Sequence, residues 1–166
     1  METGRFRCCC RECLRSLFSD GDIDESYAIE RIDWKGRWPF WLPEDVLSPI
    51  GMEQYRRGFL YVQPHALDFL HKFAVVLDRR IFVNLKGHEH LGYRSPEENR
   101  GVGGEPLSFH CQGIAFDINA MGMSPEELYR RAINFGWHGV GLYPGKHFVH
   151  VDLRPLVVGQ QVTWTK

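Results

Sequence analysis

Two short apolar runs near the C-terminus, residues 139–142 and 148–153, flank a Tyr143-Pro144-Gly145 turn. Strands joined through so short a turn pair antiparallel, because a parallel partner needs a crossover of roughly a dozen residues or more. This feature constrains the fold most: whatever sheet the chain builds contains an antiparallel pair at its C-terminal end. Within the second run the side chains alternate. His150 and Asp152 share one strand face, and Val149 and Val151 share the other.

The helical signals lie upstream. From Pro64, the residues Leu67, Leu70, Phe73, Ala74 and Leu77 recur at three- and four-residue spacing, and a proline suits the first helical turn. Ser124-Pro125-Glu126-Glu127 opens a second helix with a capping serine, a first-turn proline and acidic residues near the positive end of the helix dipole. Its apolar positions Leu128, Ala132, Ile133 and Phe135 run to Gly136, a natural stop. Residues 81–85 and 113–118 read as short strands, and residues 86–108, rich in Gly, Pro and Glu, as a long loop. With no internal repeat and no βα alternation, the class is α+β: a small, mainly antiparallel sheet flanked by helices.

Composition narrows the function. The 166 residues are 43% hydrophobic and 25% charged, which excludes a disordered tail or a coiled coil. Lys and Arg number 20 against 21 Asp and Glu, so charge gives no reason to expect a nucleic acid or an anionic membrane as partner. No apolar run approaches the roughly 20 residues of a membrane-spanning helix. The opening Met1-Glu2-Thr3-Gly4-Arg5-Phe6-Arg7 lacks the pattern of a secretory signal, so the expectation is a soluble chain of cytoplasmic synthesis.

Residues 1–45 form an N-terminal Cys- and Trp-rich arm, set apart from a domain at 46–166. Cys8, Cys9, Cys10 and Cys13 crowd there, but only Cys10-Arg11-Glu12-Cys13 has the CxxC form, and a structural zinc site would want a second pair. Reduced thiols are the plain reading, with a metal knuckle or redox pair as the sharper one. Trp34, Trp38 and Trp41 stand close together, which points to packing against a body; a carbohydrate-stacking platform is the functional alternative.

Chemistry concentrates elsewhere. Of eight His, His65, His71 and His138 stand singly, and His88-Glu89-His90 is a weak loop signal for a second metal or substrate site. In Ser108-Phe109-His110-Cys111-Gln112-Gly113-Ile114-Ala115-Phe116-Asp117, a His at the end of the loop is followed seven residues later by a carboxylate. The small Gly113 and Ala115 between them are expected to let backbone and metal approach closely. With His150 these residues make a set of two imidazoles and one carboxylate. Three protein ligands and one open position are what a catalytic zinc requires.

Ser108 to Asp117 fits the S-x-H-x-x-G-x-A-x-D motif of the zinc D-alanyl-D-alanine carboxypeptidase family, which also holds phage L-alanyl-D-glutamate endolysins and shares its fold with the hedgehog signalling domain. Gly92-Tyr93-Arg94-Ser95 through Asn99, then Val102-Gly103-Gly104, resembles the family's G-Y-R-S-x-x-x-N…V-G-G segment. Gly139 to Pro144 and Phe148 to Arg154 resemble its G-x-G-x-Y-P…F-V-H-V-D-x-R ending. The resemblance covers residues 60–155 and is silent on 1–45.

The resemblance implies a hedgehog/D-Ala-D-Ala-peptidase-like fold and a zinc peptidase domain over 46–166. It implies zinc (Zn2+) on His110, Asp117 and His150, and peptidoglycan stem peptides as substrate, cut as a carboxypeptidase or as an endolysin-like endopeptidase. Action at the cell wall would follow release, with a phage gene as one origin. Arg94 is expected to grip a peptide carboxylate or steady a developing oxyanion, with Ser108 beside the substrate. Several relatives carry an acidic general base three positions before the last ligand; here that position is His147, and Asp152 competes for the role as base or as orienter of a ligand. A second departure is the insert Lys86-Gly87-His88-Glu89-His90-Leu91 before Gly92. The alternative function is a non-catalytic binding module, or a virion component, of the same fold.

Overall fold

A computed structural model describes residues 33–83, 92–156 and 159–166. The Cys8–Cys13 group, the His88-Glu89-His90 signal and the insert before Gly92 lie outside the described residues. Helix α1 (Trp34–Arg37) and a 3-10 turn (Pro43–Asp45) precede α2 (Pro49–Arg56) and α3 (Pro64–Leu77). Then come β1 (Ile81–Phe82), α4 (Pro96–Gly101), β2 (Ala115–Ala120), α5 (Pro125–Phe135), β3 (Gly139–Tyr143), β4 (Phe148–Asp152) and β5 (Val162–Thr165). None of the described helices is long and apolar enough to cross a membrane.

The five strands form one sheet in the order β1-β2-β4-β3-β5. The β3–β4 hairpin is antiparallel as its turn requires, and β4 also pairs antiparallel with β2. The sheet is mixed: β5 joins β3 in parallel, which the sequence reading lacked. Two further elements correct that reading. The segment taken as a long loop contains α4, opened by a capping box in which Ser95 Oγ accepts the Glu98 amide at 3.1 Å and Glu98 Oε2 accepts the Ser95 amide at 2.7 Å. The strand placed at 113–118 begins two residues later, at Ala115, because Gly113 sits in a turn at φ +69°.

Burial follows the pleat. Phe116 and Ile118 of β2, Val149 and Val151 of β4, and Val140 of β3 are wholly buried and face the helices. They pack with Leu67, Leu70 and Phe73 of α3, Leu128 and Ala132 of α5, and Trp137. The tryptophans of the 34–41 segment join the same core, so they pack against the body and offer no open stacking platform. Trp34 Nε1 donates to the Trp41 carbonyl and Trp41 Nε1 to the Ile81 carbonyl, each at 2.9 Å.

Candidate metal centre

The opposite face of the sheet carries the site. Register sets Asp117 of β2 directly across from His150 of β4, and His150 across from Gly141 of β3. His110 arrives from the turn before β2. Its amide is accepted by Ser108 Oγ at 3.3 Å, so the serine braces the turn that presents the imidazole. Gly113, expected to make room for a metal, serves the backbone instead: its φ is positive, and a Cβ there would overlap the Tyr61 carbonyl.

Three side-chain atoms converge. Asp117 Oδ1 lies 2.9 Å from His150 Nδ1 and 3.3 Å from His110 Nε2, and the two imidazole nitrogens are 3.1 Å apart. The edge of a tetrahedron with metal–ligand bonds of 2.0–2.1 Å is about 3.3 Å, so the triangle has the size of one face of a zinc coordination shell.

The outer contacts fix which atoms face inward. His110 Nδ1 is 2.7 Å from the Gly92 carbonyl, which can only accept, so this nitrogen carries the proton and Nε2 turns a lone pair to the centre. His150 Nε2 is 2.9 Å from Asp152 Oδ2. Asp152 is wholly buried and is held by Arg154, with Nε to Oδ1 at 2.8 Å and Nη2 to Oδ2 at 2.6 Å. Burial alone would raise the Asp152 pKa, but Arg154 and His150 outweigh it and hold the group well below the usual carboxylate range. A carboxylate so ionised accepts the Nε2 proton of His150 and leaves Nδ1 as the inward lone pair.

Two imidazole lone pairs and a carboxylate oxygen, packed this tightly, repel unless a cation sits among them. In the metal-free protein a proton can serve. Burial disfavours a charged His150, yet its bonds to Asp117 and Asp152 prevail and raise its pKa to about 9. Asp117 shows the same contest: desolvation is overcome by the two histidines, and its pKa falls well below normal. His110, the most buried of the three, is shifted down by desolvation. The donor set suits a divalent metal of the kind that takes nitrogen and oxygen ligands in tetrahedral geometry.

Arg94 immediately precedes the Ser95 cap of α4, and α4 is anchored through Glu98, whose Oε2 also accepts from Ser48 Oγ at 2.9 Å. The guanidinium reaches the site, with Nη2 3.4 Å from Asp117 Oδ2, while its buried Nε has no hydrogen-bond partner. Burial lowers its pKa and Asp117 opposes the shift, so the group keeps its charge. His147 is placed differently. It is exposed, in a left-handed conformation (φ 56°) at the turn into β4, and no hydrogen bond joins its ring to the cluster. His110, Asp117, His150, Asp152 and Arg94 thus come together, with Ser108 bracing the His110 amide and His147 at the turn into β4.

Sequence reasoning missed the Gly92 carbonyl and Arg154 as partners of the two imidazoles. Arg154 was within reach, since His150, Asp152 and Arg154 follow at alternate positions; a backbone carbonyl leaves no mark in sequence.

Residues 49–152 match the sequence profile of Peptidase M15. The chain belongs to this family of metallopeptidases, the one its motifs resemble. It is 31% identical over 99 residues to the peptidoglycan L,D-endopeptidase MepK of Escherichia coli (strain K12), an alignment covering 57% of this chain and 52% of that protein. The Shigella flexneri protein of the same name matches to the same extent. The chain therefore spans about half the length of the curated relatives it matches.

Proposed function

We propose that this protein is a zinc-dependent peptidase that hydrolyses peptidoglycan stem peptides as an endopeptidase, on a hedgehog/D-Ala-D-Ala-peptidase-like fold. One observation carries the reading: three inward-facing acceptor atoms lie 2.9–3.3 Å apart, each locked from behind, in an arrangement that calls for a cation. The curated relatives, named as peptidoglycan L,D-endopeptidases, support the substrate class and favour internal cleavage over carboxypeptidase action.

His110 Nε2, Asp117 Oδ1 and His150 Nδ1 would hold the zinc. Bound there, it supplies Lewis acidity, polarising a carbonyl and lowering the pKa of water towards about 7. The protein's own groups do the rest. Arg94 presents a buried charge and an unpartnered Nε, suited to gripping a carboxylate of the stem peptide or the oxygen of the attacked carbonyl. Asp152 is committed on both oxygens to His150 and Arg154, so its role is to orient His150. That leaves His147 as general base: an exposed imidazole at the turn into β4 can take the water's proton and return it to the leaving amine. Its left-handed backbone, uncommon outside glycine, fits a residue held for function.

The test is mass spectrometry of muropeptides released from purified wall by the zinc-loaded full chain. Internal stem-peptide fragments are expected. Release of single D-alanine would move the assignment to carboxypeptidase, and stoichiometric zinc with no release at any pH would favour the binding module.

A further inference from the structure

The sequence match to the family ends at residue 152, yet the site-bearing face of the sheet continues beyond it. Strand β5 lies outside the matched segment and adds in parallel to β3, setting Trp164 directly across from Gly141, which is itself across from His150. The strand is fastened at its start: the Val162 amide donates to the His138 carbonyl at 2.8 Å, and Gln161 Nε2 donates to the Ile133 carbonyl at 3.1 Å.

Trp164 is the one inward-facing side chain this strand delivers to the row. Its indole lies over Gly141, where any Cβ would overlap the ring. It sits 5.4 Å from the His150 ring centre to centre, and Nε1 donates to the Tyr143 hydroxyl at 3.2 Å. The Arg154 guanidinium packs over it at 5.0 Å and over Phe109 at 4.8 Å. These rings keep water from the Arg154–Asp152 pair, and a less hydrated ion pair is a stiffer one. Stiffness matters here because Asp152 fixes the orientation of His150.

We propose that Trp164 is a positioning residue of the metal centre: it seats Arg154 on Asp152 and so holds the His150 ring with Nδ1 inward. The chain's C-terminal strand is then part of the site although the family match stops before it. The inference rests on the reading of His110, Asp117 and His150 as zinc ligands.

The experiment measures zinc affinity of the full chain by competition with a fluorescent chelator, alongside 15N chemical shifts of the His150 ring in the zinc-loaded protein, which report which ring nitrogen keeps its proton. Trp164→Ala is expected to weaken zinc binding about 10-fold, the low end for partners behind a ligand, and to mix the His150 tautomers. Trp164→Phe, which keeps an aromatic ring, should recover all but about threefold. Gly141→Ala, which displaces the indole without removing it, should also weaken zinc, and should add nothing in the Trp164→Ala background. Should Trp164→Ala not fold, Trp164→Phe and Gly141→Ala carry the comparison, and wild-type affinity in Gly141→Ala overturns the proposal. Wild-type affinity and an unmixed tautomer in folded Trp164→Ala overturn it as well. A wild-type protein that takes up no zinc overturns the ligand assignment itself, which is a separate failure.

Discussion

The two faces of one sheet are built from alternate residues of the same strands, and they obey opposite rules. On the helix side, Phe116, Ile118, Val149 and Val151 are apolar and wholly buried, and they gain stability by leaving water. On the other side, Asp117, His150 and Asp152 are also largely withdrawn from solvent, yet they are polar, and every one is tied to a partner of complementary character. A one-residue slip of β4 would exchange the faces and destroy both. The core tolerates an approximate fit; the site does not, because an unpaired buried charge costs far more than a small void. Substitutions on the two faces should therefore fail in different ways.

The largest effect is expected at the ligands. His110→Ala or His150→Ala should abolish stoichiometric zinc and reduce peptide hydrolysis on the order of 10³-fold or more, since two ligands cannot hold the ion in a defined geometry. Metal analysis together with muropeptide release checks this; full zinc and full turnover in either variant would mean the wrong atoms have been assigned. His147→Ala should separate chemistry from binding: zinc is retained and turnover falls ~10²- to 10⁴-fold, the usual worth of acid–base catalysis. The contrast on the core face is Phe116→Ala. It should cost about 4 kcal/mol and lower the melting temperature by about 10 °C, with the zinc affinity of the folded protein little changed. A large loss of affinity in that variant would show that the faces are coupled through the strand.

The sequence made one face more legible than the other. Alternation in Phe148-Val149-His150-Val151-Asp152 places the core and the site together, and capping at Ser124 and Gly136 marks α5 closely. Helix α4 was hidden inside Gly- and Pro-rich surroundings, although Ser95-Pro96-Glu97-Glu98 carries the capping-box signature that announces it. Strand β5 was invisible for a different reason. Its residues are mostly exposed, so burial leaves no alternating pattern, and it is held by backbone pairing to β3 and by Gln161. The metal-site triad was readable as a set of residue types. What was not readable is the layer behind it, because the Gly92 carbonyl and the docking of Trp164 are tertiary facts with no local spacing.

The smallest effect probes the far edge of the core side, where charge meets the buried tryptophans. Asp68 of α3 accepts from Trp38 Nε1 at 3.0 Å and from Arg37 Nε at 2.8 Å, and the Arg37 hydrogen bond holds its pKa below the ordinary carboxylate value despite partial burial. A depressed folded-state pKa contributes stability above the unfolded value near ~3.9, and that contribution is lost as pH falls through the folded pKa. Both partners are more than a third exposed, or close to it, so solvent screening limits the pair to about 0.5 kcal/mol. Asp68→Asn keeps one oxygen for the indole and Arg37 Nε, and removes the charge together with the acceptor for Arg37 Nη2. It should destabilise slightly at pH 7, lose that deficit towards pH 3, and leave zinc affinity untouched at every pH. Denaturant titrations of the two proteins across that range measure the difference. An equal deficit at both ends would assign the contact to hydrogen bonding alone, and a change in metal affinity would mean that the core edge and the metal face communicate.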